Sequence, residues 1–178
     1  TDTSGGILCL GCFCGRNRYK PVALHCITNG DFCRQAEILT IKPDSTERKI
    51  PIMEYVTLNN GVKMPQLGYG VYQVSSGECE RCVLDAVSAG YRAIDTAQSY
   101  GNEEAVGNAV KKCGVPRSEL FLTTKVWISN AGYEKARESI DKSLKNLQTD
   151  YIDLLLIHQP FGDYYGTYRA MEEAYKAG

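Results

Sequence analysis

No stretch of this sequence approaches the roughly 20 consecutive apolar residues that a membrane-spanning helix needs. Charge of one sign is equally lacking. Twenty Lys and Arg face 21 Asp and Glu, for a net charge of −1, which argues against a nucleic-acid or anionic-membrane partner. The apolar start Ile7-Leu8-Cys9-Leu10 is short and has no basic residue before it, so no secretory signal is expected. A cytoplasmic location with reduced thiols follows as the expectation. Two further elements are missing. The turn Gly68-Tyr69-Gly70-Val71-Tyr72-Gln73 lacks the third glycine of a dinucleotide-binding G-x-G-x-x-G turn. The cysteine-rich start has no second Cys-x-x-Cys or His-x-x-x-His arm to complete a zinc module.

What is present is a globular composition, with 43% apolar and 23% charged residues among 178, enough for one domain with a core. The chain divides unequally. Residues 1–52 show no sustained period of two or 3.6 residues and hold Cys9, Cys12, Cys14, Cys26 and Cys33. With His25 these could supply zinc ligands, but the incomplete spacing favours an unstructured cysteine-rich extension outside the fold. Cys79, Cys82 and Cys113 fall in or beside helical patterns and read as buried or helix-surface thiols, not as a disulfide set.

From Met53 the pattern is regular. Asn59-Asn60-Gly61 separates two short strand-like runs and suggests a tight hairpin. Strands are expected over 67–72, 91–94, 120–127 and 151–157. The last is nearly continuous in apolar residues, as a strand buried on both faces should be. Helices alternate with them. The first starts at a capping box of Ser75 and Glu78 and ends near Gly90, the second carries Ala105, Val106, Ala109 and Val110, and the third carries Ala136, Ile140, Leu144 and Leu147. A fourth helix is expected from about Tyr168 to Lys176. Four β-α repeats imply a parallel sheet with right-handed crossovers, either doubly wound or part of a (β/α)8 barrel.

Chemistry collects where the strands end. Asp95 and Tyr100 stand five residues apart in Asp95-Thr96-Ala97-Gln98-Ser99-Tyr100-Gly101-Asn102-Glu103, Lys125 comes late in the third strand, and His158 closes the fourth. An acid, a phenol, an amine and an imidazole at one end of a sheet form a proton-handling site. Each alone has a structural reading: Asp95 as a helix cap, Tyr100 as a loop aromatic, Lys125 as a strand-end lysine, His158 as a core histidine.

Taken together, the residues resemble the aldo-keto reductase family. D-T-A-x-x-Y-G-N-E, the later T-T-K-V-W, the strand ending in H-Q-P and the entry segment G-V-K-M-P-Q-L-G-Y-G-V-Y match it in order, over about Met53 to Gly178. The finer likeness is to bacterial reductases of small aldehydes and keto-sugars. The resemblance implies a (β/α)8 barrel, of which the hairpin and first four βα units are present. A complete barrel needs roughly 250 residues. This chain is therefore expected to be an N-terminal portion, inactive by itself or self-associating through its open strand edges, whereas the parent enzyme is expected to be a monomer.

The activity implied is NADPH-dependent reduction of aldehydes and ketones, with no metal. Tyr100 would give the proton. A free tyrosine titrates at about 10, and an ammonium beside it favours the phenolate, the role implied for Lys125. Asp95 would hold Lys125, and His158 would orient the carbonyl oxygen. Gly70, Val71, Tyr72 and Asp95 are implied at the cofactor, and Tyr72, Trp127 and His158 at the substrate. Family members often carry tryptophan at the position of Tyr72, so the tyrosine is a departure. Asn102 and Glu103 are assigned structural work. The other reading is a non-catalytic fragment or binding subunit of the same fold.

Overall fold

The computed structural model describes residues 53–178; the expectations for residues 1–52, the zinc alternative among them, lie outside these. The described chain opens with an antiparallel hairpin of β1 (Tyr55–Thr57) and β2 (Lys63–Pro65). Its turn is wider than Asn-Gly alone suggests. Leu58 and Val62 close a three-residue loop, with Leu58 N donating to Val62 O at 2.8 Å and Gly61 N to Leu58 O at 2.9 Å. Only Gly61, at φ 84°, enters the left-handed region there, whereas a two-residue type I′ turn needs two such residues.

Four strands form the sheet: β3 (Gly68–Gly70), β4 (Ala93–Asp95), β5 (Phe121–Val126) and β6 (Leu154–Ile157). They lie side by side in chain order, all neighbours parallel. The helices between them are α1 (Ser76–Ser88), α2 (Glu103–Lys112), α3 (Tyr133–Leu147) and α4 (Tyr164–Ala177). Each packs against the next in the same order. A doubly wound sheet reverses its strand order at a switch point. Strict sequential order in both layers instead describes the staves of a (β/α)8 barrel.

The helix periodicity identifies the buried faces. Cys79, Cys82, Val83, Ala86 and Val87 of α1 and Ala105, Val106, Ala109 and Val110 of α2 are buried, mostly in one cluster with Val71, Ile94, Leu122 and Leu147. Ala136 and Ile140 of α3 join Val126 and Ala170 in a second cluster, with Leu144 half-buried against it. Three local readings differ from the sequence expectation. Ser75 precedes α1, but its hydroxyl bonds the Glu78 carboxylate at 3.0 Å instead of capping a backbone N–H. The fourth helix starts earlier, at Tyr164, because the Asp163 side chain accepts from Gly166 N at 2.8 Å and supplies the cap. Strand β6 is half-buried, not fully buried, because among the described residues it pairs on one side only, with β5.

Cys79, Cys82 and Cys113 form no disulfide among the described residues. Burial, followed by the neighbouring Cys82, pushes the Cys79 thiol up to about 12. A thiol reacts as its thiolate, so Cys79 should resist alkylation. Brief iodoacetamide treatment followed by peptide mapping is expected to label half-buried Cys113 well before Cys79. Equal labelling of the two in the folded protein would contradict the packing of α1.

Candidate active site

The site is built at the C-terminal end of the sheet. Strand β4 stops at Asp95, and Thr96 N continues toward β5 by donating to Thr123 O at 2.9 Å. A single 3-10 turn, Gln98–Tyr100, follows and aims Tyr100 back over the sheet. Gly101, at φ 68°, then makes the left-handed bend into α2 that a side chain would resist. Asn102 fixes this loop to the preceding one. Its amide donates to Val71 O at 2.9 Å and Val74 O at 3.1 Å and accepts from the Thr96 hydroxyl at 2.8 Å. Glu103 is buried and accepts from the Thr124 hydroxyl at 2.7 Å and the Asn146 amide at 3.1 Å. Both residues therefore tie elements together, as the sequence suggested.

Lys125 is the centre of the constellation, its side chain 8% exposed. Its Nζ lies 2.7 Å from each oxygen of Asp95, 2.9 Å from Thr96 O and 3.4 Å from the Tyr100 hydroxyl. Three of these contacts are short and charge-assisted, the stronger class of hydrogen bond. The fourth is long and leaves the phenol oxygen available to another partner. The same ammonium sits 5.0 Å from the Tyr100 ring centroid.

His158 follows β6 and is tied to β5 by its N–H donating to Val126 O at 3.0 Å. Its ring stands edge-on to Tyr100 at 5.6 Å and to Trp127 at 5.1 Å. Burial, then the positive charge of Lys125, lower its pKa from 6.5, and Asp95 opposes them more weakly. A neutral imidazole near neutral pH follows. Tyr72, 46% exposed, places its ring 5.0 Å from that of Tyr100. Gly70 sits opposite Asp95 in the β3–β4 register.

The structure thus brings together Asp95, Tyr100, Lys125, His158, Tyr72, Trp127 and Gly70. Val71 stands apart. It is 0% exposed, its N–H donates to Asp95 O at 3.0 Å, and its carbonyl accepts from Asn102. Its side chain is core, so its part in any cofactor cleft is to hold the backbone of Gly70 and Tyr72.

Two residues were missed in the sequence. Gln98 uses its whole amide: Oε1 accepts from Trp127 N and Asn130 Nδ2, both at 2.9 Å, and Nε2 donates to Ser139 O at 3.2 Å and Ser143 Oγ at 3.1 Å. It therefore locks the Tyr100 turn to α3 and to Trp127. Ser99 places its Oγ 3.3 Å from His158 Nδ1. Both fill the two unspecified places of D-T-A-x-x-Y. Their only sequence signal was polarity inside a turn at a strand end.

Comparison with known proteins agrees with this geometry. The Aldo/keto reductase family model matches residues 58–178. The chain belongs to the aldo/keto reductase family. It is 50% identical over 129 residues to a glyoxal reductase of Bacillus subtilis, covering 71% of this chain and 47% of that protein. It is 46% identical over 121 residues to a morphine 6-dehydrogenase of Pseudomonas putida, covering 68% of this chain and 41% of that protein. The chain spans about half the length of the curated relatives it matches. Among solved structures, an aldo/keto reductase from Brucella melitensis superposes with a TM-score of 0.69 at 48% identity, over 71% of this chain and 50% of that one. A Bombyx mori aldo-keto reductase in complex with NADP gives 0.67 at 35% identity, over 71% and 48%. The fold is accordingly the hairpin and first four βα units of a (β/α)8 barrel, and the family is one of oxidoreductases.

Among the described residues no helix is long and apolar enough to cross a membrane. No group of three or more His, Cys, Asp or Glu side chains among them is placed to hold a metal ion.

Proposed function

We propose that this chain carries the proton-delivery site of an NADPH-dependent reductase of small aldehydes and ketones. The observation that carries the reading is the position of Lys125 Nζ, 2.7 Å from both Asp95 oxygens and 3.4 Å from the Tyr100 hydroxyl, at the C-terminal end of a parallel sheet. Barrel enzymes place their chemistry at that end.

The residues present fit the reactive end of such a cofactor. The exposed ring of Tyr72 stands beside Tyr100 and offers a flat apolar wall to a nicotinamide. The backbone of Gly70 and Val71 and the carboxylate of Asp95 complete that side. Lys125 is committed to Asp95, Thr96 and Tyr100 and does not serve a phosphate group. When bound, NADPH supplies a hydride to the carbonyl carbon.

The chain's own groups manage the charge that results. Negative charge grows on the carbonyl oxygen, and the Tyr100 hydroxyl donates a proton to it. The ammonium of Lys125 steadies the phenolate left behind. Asp95 holds Lys125 in place through both carboxylate oxygens. His158, neutral because of its burial and the nearby Lys125, donates a hydrogen bond to the same oxygen and orients it. Trp127 and Tyr72 bound the pocket that receives the substrate. Similarity to a glyoxal reductase supports a small reactive dicarbonyl as the first substrate to try. In this reading the enzyme is cytoplasmic and the parent barrel is monomeric. Self-association of the isolated chain through the β3 and β6 edges belongs to the same reading.

The test is NADPH oxidation with glyoxal, by this chain and by a fusion of residues 53–178 to the C-terminal half of the similar Bacillus glyoxal reductase. Turnover in at least one form is expected, with a loss of about 10²- to 10⁴-fold in Tyr100→Phe. A folded fusion that neither binds NADPH nor turns over, or a Tyr100→Phe variant with full turnover, would sink the reading.

A further inference from the structure

Ser99 occupies an unspecified place in the motif, yet its hydroxyl oxygen is 3.3 Å from His158 Nδ1. We propose that Ser99 is a positioning residue that donates its hydroxyl proton to His158 Nδ1, holding the imidazole in the Nε2–H form and so turning its N–H toward the substrate. This rests on the function proposed above but is tested without it.

The argument begins with the two ring nitrogens. A neutral imidazole has one N–H and one lone pair, and the partner of one nitrogen decides which form the other takes. The ring is already constrained. Tyr100 and Trp127 both meet it edge-on, at 5.6 and 5.1 Å, and the backbone N–H of His158 is tied to β5. A half-turn of the ring would put carbon Cδ2 where Nδ1 stands and lose the Ser99 contact. Nδ1 faces Ser99, leaving Nε2 for the substrate. With Nδ1 protonated, Nε2 would show a lone pair to a carbonyl oxygen and repel it. With Nδ1 accepting from Ser99, Nε2 carries the proton and attracts that oxygen. A hydroxyl can play either part, so the serine adapts to what the rest of the site favours.

The charges around the ring agree with this direction. The ammonium of Lys125 disfavours the imidazolium, and a donor on Nδ1 favours the neutral ring further, both in line with the lowered pKa of His158. Asp95, the charge acting the other way, is occupied by Lys125. Ser99 itself is exposed and lies outside the buried core. Shortening it to alanine should therefore leave the fold intact, so any effect is read at the ring.

The experiment is long-range ¹H–¹⁵N correlation on the ¹⁵N-labelled 178-residue chain across a pH titration. Two histidines give two sets of ring signals, assigned with His158→Gln. In the unsubstituted chain above pH 6.5, His158 is expected to show a protonated Nε2 and an unprotonated Nδ1. Ser99→Ala is expected to give a mixture of the two neutral forms and a higher titration midpoint, and Ser99→Thr to restore the original pattern. A protonated Nδ1 in the unsubstituted chain, or Ser99→Ala spectra identical to it in form and midpoint, would overturn the proposal. None of these signals requires substrate or cofactor, so a failure here is separable from a failure of the reductase reading.

Discussion

Lys125→Met is expected to lower turnover by at least about 10²-fold and to destabilise the fold by about 2–4 kcal/mol, two effects with different origins. The chemical effect follows from losing the ammonium 3.4 Å from the Tyr100 hydroxyl, which leaves a phenolate with no positive charge beside it. The stability effect comes from Asp95. Its side chain is 20% exposed, and its two oxygens both rest on Lys125 Nζ at 2.7 Å. Methionine fills the volume but strands the carboxylate, and an unpaired, largely buried charge costs more than the pair contributed. Residual exposure keeps the cost below that of a fully buried ion.

The two effects can be separated. Adding Asp95→Asn removes the stranded charge and is expected to recover much of the stability, as a coupling between touching sites should. It is not expected to recover turnover. Parallel recovery of both would mean that Lys125 acts only by holding the loop.

The same variant moves His158. Its pKa is lowered by burial and by Lys125 and raised by Asp95, so removing Lys125 should shift the titration midpoint upward. In the unsubstituted chain the folded value lies below 6.5, the folded state binds fewer protons than the unfolded one, and the stability gained is lost as pH falls through the folded value. That loss should be smaller, and complete at higher pH, in Lys125→Met, because the folded value then lies nearer the unfolded one. An unmoved midpoint would mean that the ammonium and imidazole do not sense each other.

The parts of this architecture that were legible depend on local pattern. Apolar runs closed by a polar residue located β4, β5 and β6, because a buried strand in a barrel can change character only where it leaves the sheet. Asp95 is the last residue of β4, Lys125 the penultimate residue of β5, and His158 the residue after β6. Helical spacing identified the inner face of α3 for the same reason, through Ala136, Ile140 and Leu147. The residue motif then made four separate structural explanations for Asp95, Tyr100, Lys125 and His158 harder to hold than one chemical one.

What was not legible is set by partners far away in sequence. Gln98 looks like an ordinary turn residue until α3 and Trp127 are placed against it. Ser99 acquires meaning only when His158 arrives from the far side of β6. The beginning of α4 was hidden because its first turns expose Tyr164, Tyr165 and Tyr168, so no amphipathic stripe marks it, and the signal lay in the Asp163 cap. Burial of β6 was overestimated because an apolar strand reads alike in the middle of a sheet and at its edge.

Among the described residues, Gly107→Ala adds a methyl group against backbone alone and carries a large expected structural effect. Gly107 lies buried in α2 where that helix meets the end of α3. A Cβ there would run into the carbonyl oxygen of Asn146 and come within 2.8 and 2.9 Å of Leu147 C and Cα. These are backbone atoms and cannot turn aside like a side-chain tip. The helices must separate, pulling on contacts that fix their ends: the Asn146 amide to Glu103 at 3.1 Å, and the Gln148 amide to Asn108 at 2.6 Å. Glu103 also holds Thr124 of β5, so the strain reaches the strand that carries Lys125.

Helix propensity alone points the other way, since alanine is favoured over glycine in a helix by up to about 1 kcal/mol. Overpacking a core costs about 1–3 kcal/mol, and contact with rigid backbone on three atoms should place Gly107→Ala at or above the top of that range. Gly77 provides the internal control. It lies in α1, and a Cβ there meets nothing within 4 Å. Gly77→Ala is therefore expected to be neutral or stabilising by a few tenths of a kcal/mol to about 1. Urea denaturation of the two variants should move the midpoint in opposite directions with little change in slope for Gly77→Ala. A Gly107→Ala variant as stable as its Gly77→Ala counterpart would mean that α2 and α3 do not approach as closely as described, and with that the route from Asn146 through Glu103 to the active-site strand would lose its basis.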